Sequence, residues 1–150
     1  MRRALAAVAM MVAVVGAGAV RADSLPFFGV EHGIELCPES ICGVAIFAGV
    51  FQGRLGNNPN AVGVITVAVK HDPLPPPGGD AAITSGTWQL VSGFRVIGGH
   101  VTGNLHAIDA KVFFVTADLC IEQGGSGASK FAGLLDHNYF PPHIDGFITQ

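Results

Sequence analysis

Positive charge is scarce in this sequence. Lysine and arginine total 8 against 11 aspartates and glutamates, and three of the basic residues, Arg2, Arg3 and Arg21, stand near the N-terminus. A nucleic-acid site needs clustered basic side chains to displace counterions from phosphate, and an anionic membrane surface asks for the same. Neither partner fits. Cysteine is limited to Cys37, Cys42 and Cys120. The Cys37-x4-Cys42 pair has no second pair to complete a zinc tetrad. Also missing is a sustained apolar repeat of roughly 3.6 residues, the mark of an amphipathic helix. No stretch beyond the N-terminal region is long and apolar enough to cross a bilayer as a helix, so stable membrane insertion is not expected. What is plentiful is glycine, 21 residues, together with 9 prolines and a 49% share of hydrophobic residues.

The N-terminus is the exception to the missing apolar run. Arg2 and Arg3 precede an unbroken apolar and glycine stretch from Ala4 to Val20, and Val20-Arg21-Ala22 supplies small residues at the −3 and −1 places before Asp23. This is the pattern of a Sec-type signal peptide over 1–22, followed by a single β domain over 23–150. It predicts a secreted or periplasmic protein; the alternative is an uncleaved anchor. Without Arg2, Arg3 and Arg21, five basic residues remain against 11 acidic ones, a net charge of −6. Export permits a disulfide. Cys37 and Cys42, enclosing Pro38-Glu39-Ser40-Ile41, are the nearest pair, and a ring that short stabilises by about 2 kcal/mol.

The rest reads as strands and turns. Gly43 to Leu55 puts Ala45, Phe47, Phe51 and Leu55 on one face, and Ala61 to His71 returns as its hairpin partner after an Asn- and Gly-rich turn. Asp72 to Asp80 is proline-rich and cannot pair in a ladder. Ala81 to Val91 carries Trp88 and Leu90 on one side, with Thr87 and Gln89 on the other. In Phe94 to Ile108 the apolar positions change from even to odd after Gly98-Gly99, which predicts a bulge or tight turn there. Lys111 to Gln123 aligns Phe113, Val115, Ala117, Leu119 and Ile121. Lys130 to Leu135 and Ile144 to Thr149 complete the set, while Asp23 to Cys42 reads as a polar-studded lead-in. Seven to nine strands of this kind predict an all-β fold, an antiparallel barrel of roughly eight strands, with a β-sandwich as the alternative.

The Gly86-x-Trp88 strand followed by glycine-punctuated strands resembles small secreted barrels of the allene oxide cyclase and dirigent type. The resemblance covers about the central third of the chain. It implies a closed barrel with one open mouth, and it carries no catalytic residue across.

Two clusters are candidate sites. His100, Asn104 and His106 share the even-numbered face of one strand, and Asp118 sits mid-strand on the face of Thr116 and Cys120. If those faces line a barrel interior, the four make a polar floor in an apolar cavity, the arrangement of a small-molecule site; if solvated, they are ordinary outward positions. In Asp136-His137-Asn138 and His143-x-Asp145, a fold-back at Pro141-Pro142 would bring His137, His143 and Asp145 together as two imidazoles and a carboxylate for a zinc-like ion. Polar turn-capping is the other account of the same residues. Gly124-Gly-Ser126-Gly-Ala128 lacks the helix a nucleophile elbow requires. Asp109, Asp118 and Glu122 offer carboxylates for glycoside hydrolysis, yet no catalytic residue is assigned and no cofactor is expected. The expected role is non-catalytic: binding a small apolar ligand, or contact with an envelope component. The alternative is a barrel enzyme, an isomerase, cyclase or hydrolase acting on a small apolar substrate.

Overall fold

A computed structural model describes residues 24–150; the expected signal peptide lies outside them. Eight strands form in chain order: β1 (Phe27–Cys37), β2 (Ala45–Leu55), β3 (Asn58–His71), β4 (Asp80–Ser92), β5 (Arg95–Ala107), β6 (Val112–Ile121), β7 (Gly127–Asp136) and β8 (His143–Thr149). Each pairs antiparallel with its sequence neighbour, and β1 pairs with β8 to close the barrel. Closure removes both sheet edges, which answers the pairing hazard of an open sheet. The sandwich alternative is thereby set aside.

The period-2 pattern decides which side chains turn inward. On β6, Phe113, Val115, Ala117, Leu119 and Ile121 are all buried, and their even-numbered neighbours face out. Trp88 and Leu90 of β4 and Ala45, Phe47, Phe51 and Leu55 of β2 do the same. Between β1 and β2 a single helical turn, α1 (Glu39–Cys42), ends at Gly43 with φ 74°, a left-handed backbone that glycine adopts without strain. The Cys37–Cys42 disulfide clips this turn, as the sequence anticipates.

Two expectations need correction. The stretch before Cys37 is not a lead-in but a full strand, and it is the one that closes the barrel. Its inward positions are Phe27, Gly29, Glu31, Gly33 and Glu35, so the hydrophobic alternation is broken by glycine and glutamate. Second, β5 has no phase switch at Gly98-Gly99. Ile97, Val101, Leu105 and Ala107 hold one inward phase, while Phe94 lies fully exposed in the preceding turn and Val96 faces out. The bulge expected at this point does form, but on the facing residues: the Gly98 carbonyl accepts both the Glu122 and the Gln123 N–H, at 2.8 and 3.0 Å, and the β4–β5 register slips as well between Ile83 and Thr87. Gly99 instead serves a close approach. A side chain there would strike the carbonyl of Cys120, and its register partner Trp88 reaches across it to donate an indole N–H to that same oxygen at 3.0 Å.

Candidate ligand cavity

The barrel interior divides along its axis. One end is plugged by rings: Phe27 stacks on Trp88 at 5.3 Å with an interplanar angle of 2°, and packs on Phe51 at 5.1 Å. Leu90 and Ile97, both fully buried, fill the space beside them. At the other end the inward residues shrink to Ala45, Val69, Val101, Val115 and Ala117. They leave a cavity of about 400 Å³, lined also by Phe47, Ile65, Leu105, Phe131, Leu135 and Ile148. That volume and apolar lining are those of a small-molecule site.

Polar groups enter the cavity mainly from β1 and α1. Glu31 is 6% exposed and Glu35 8%, and four residues of strand place them about 13 Å apart along the wall. Glu35 lies at the mouth, where its carboxylate is 3.2 Å from Nε2 of His137 and its backbone N–H bonds the Pro142 carbonyl at 2.9 Å. Phe113 holds the His137 ring edge-on at 5.6 Å. Across the mouth, the Glu39 carboxylate accepts the His71 backbone N–H at 3.0 Å and lies 3.5 Å from the His71 ring. These contacts tie α1 to the end of β3.

Glu31 is different. It lies deeper, beside Phe51 of β2 and Gly146 of β8 in register. Among the described residues no side chain or backbone group hydrogen-bonds its carboxyl. The space it occupies comes from Gly33 and Gly49, since a side chain at either would overlap a Glu31 oxygen. Burial, reinforced by the Asp145 carboxylate behind it, pushes its pKa up to about 8. At neutral pH it is a protonated acid in an apolar chamber.

The candidates drawn from sequence lie elsewhere. His100, Asn104, His106 and Asp118 do not converge in the cavity but stand exposed on the outer wall. His100 pairs with Glu122 at 2.8 Å, and Asp118 lies 3.9 Å from Lys130. His106 and Asn104 meet at Asp80, at 2.9 and 3.1 Å, and their hydrogen bonds hold the Asp80 carboxyl below its usual range. Of the three proposed metal ligands, His137 bonds Glu35, His143 stacks on Tyr139 at 4.4 Å, and Asp145 bonds His32 at 2.8 Å on the outer face. They do not share a centre, and among the described residues no three His, Cys, Asp or Glu side chains assemble as a metal site. The residues sequence reasoning missed are Glu31 and Glu35. Their signal was present as Gly29-x-Glu31-x-Gly33-x-Glu35, a strict period of two written in glycine and glutamate.

Comparison of the chain with family profiles, curated proteins and solved structures found no match.

Proposed function

We propose that this protein is an exported, non-catalytic carrier that holds one small, largely apolar molecule inside its barrel. The observation that carries the reading is the apolar cavity of about 400 Å³, closed at one end by Phe27, Phe51 and Trp88. A barrel that needed only to be stable would fill that space, because voids forfeit packing energy. The Cys37–Cys42 disulfide supports an oxidising compartment, in keeping with the signal-like N-terminus. The test is calorimetric titration with a neutral amphiphile such as n-decanol. Saturable one-to-one binding, weakened more than tenfold by Val115→Phe, is expected. Absence of saturable binding, or binding unaffected by that substitution, would sink the reading.

One observation favours a second reading. A carboxyl kept protonated at neutral pH in a largely apolar cavity is a proton donor suited to an isomerase or cyclase. Recovery of bound ligand chemically unchanged after long incubation separates carrier from enzyme.

A further inference from the structure

We propose that the molecule taken up by the barrel is an apolar amine, whose ammonium group pairs with the Glu31 carboxylate. This rests on the carrier reading and narrows it. Three carboxylates line the cavity, Glu31, Glu35 and Glu39, and among the described residues no lysine or arginine does. Two of the three already have an imidazole beside them, His137 at Glu35 and His71 at Glu39. The third, the deepest, has none.

Each element packed around Glu31 bears this out. Its own strand offers Glu35, a second acid, and His32, which faces outward and is engaged by Asp145. From β2 come Phe51 and Gly49, and from β8 come Gly146 and the Asp145 carboxylate behind it. The β7–β8 turn contributes only His137, which is held by Glu35. The Glu31 carboxyl is set into the wall and reached from the cavity, and an acid so desolvated, with no cation beside it, keeps its proton. The chamber therefore holds a neutral carboxyl with room beside it, while the two imidazoles that line the same cavity, His71 and His137, stand at Glu39 and Glu35.

The ligand's charge follows. A carboxylate-bearing lipid can accept the acid's hydrogen bond but adds an anion near Glu35 and Asp145, so it should bind weakest. A neutral alcohol can accept the acid's hydrogen bond but cannot offset the surrounding negative charge. An ammonium offsets that charge and donates to the carboxylate that remains once the acid has given up its proton. On binding, the Glu31 acid loses its proton to the buffer and the carboxylate formed pairs with the ligand's ammonium, so each amine bound below about pH 8 releases one proton. Affinity then rises with pH, by about tenfold per unit while Glu31 is protonated in the empty protein and ionised in the complex.

The test uses the intact domain with n-decylamine, n-decanol and n-decanoate, each below its aggregation concentration, by calorimetry at pH 7 in two buffers of different ionisation enthalpy. Decylamine should bind at least tenfold more tightly than decanol, with decanoate weakest and about one proton released per amine. Glu31→Gln should remove the amine's advantage and the proton release while leaving decanol binding in place. An amine no tighter than the alcohol, or bound without proton release, overturns the assignment even if Glu31→Gln fails to fold. So does an advantage that survives Glu31→Gln. In those cases the carrier reading stands on decanol binding; if none of the three binds, the carrier reading itself falls.

Discussion

The two halves of the barrel interior are built on the same eight strands and differ in the size of what they point inward. Toward one end the inward residues are Phe27, Phe51, Trp88, Leu90 and Ile97, and the space is solid. Toward the other, alanines and valines stand among larger residues such as Phe47 and Phe131, two glutamates point inward, and the space is hollow. The contrast assigns stability to the ring-packed end; the ligand proposed above would occupy the hollow one.

The sharpest way to break that division is Trp88→Ala. It removes the ring stacked on Phe27 and the indole bond to the Cys120 carbonyl, and should cost about 3–5 kcal/mol, read as a lowered urea midpoint. A loss under about 1 kcal/mol would mean the floor is not what holds the barrel together.

The next effect belongs to Glu31. Its folded pKa is raised from 4.5 to about 8. The folded state therefore binds more protons than the unfolded chain in that window, and stability must fall as pH rises through it. The contribution is complete below about pH 4.5 and lost above about pH 8, worth a few kcal/mol at about 1.4 kcal/mol per unit of separation. Denaturant midpoints at pH 5, 7 and 9 should decline for the native protein and be flatter for Glu31→Gln. Equal slopes would place the carboxyl in water.

A smaller effect sharpens the comparison directly. Adding a ring at the floor, as in Leu90→Phe, should cost about 1–3 kcal/mol through overpacking. Val115→Phe fills empty volume and should leave stability within about 1 kcal/mol. Equal costs at the two sites would erase the distinction between solid and hollow halves. Smallest of all, Asp118→Asn on the outer wall should change stability by no more than about 0.5 kcal/mol and leave ligand titrations unmoved. A weakened titration would return Asp118 to the site.

Much of this was legible in the sequence. The uninterrupted alternation of β6 gave its inward face residue by residue, and the Cys37–Cys42 pair followed from proximity. Alternation failed where inward residues stopped being apolar. Glu31 and Glu35, alternating with Gly29 and Gly33, look like solvent-facing polarity until closure turns them inside. The outer wall misled in the opposite sense. His100, Asn104, His106 and Asp118 form a regular polar face, but which side of the sheet faces the axis depends on curvature, and curvature is set by strands far away in sequence. At Gly98-Gly99 the apolar Val96 suggested a phase change, although an outward valine is unremarkable on a barrel surface.

The pairing of β1 with β8 also sets the order of events in the molecule's life. His32 and Asp145, which face each other across that seam, are 113 residues apart in the chain, so the wall bearing Glu31 depends on the longest loop closure in the fold. Contacts of such separation form slowly and late. Until Ile144 to Ile148 dock, β1 is a bare edge and its acidic stripe faces water, where glutamate ionises freely. Only with the final strand in place does the acid lose its solvent and take up its proton.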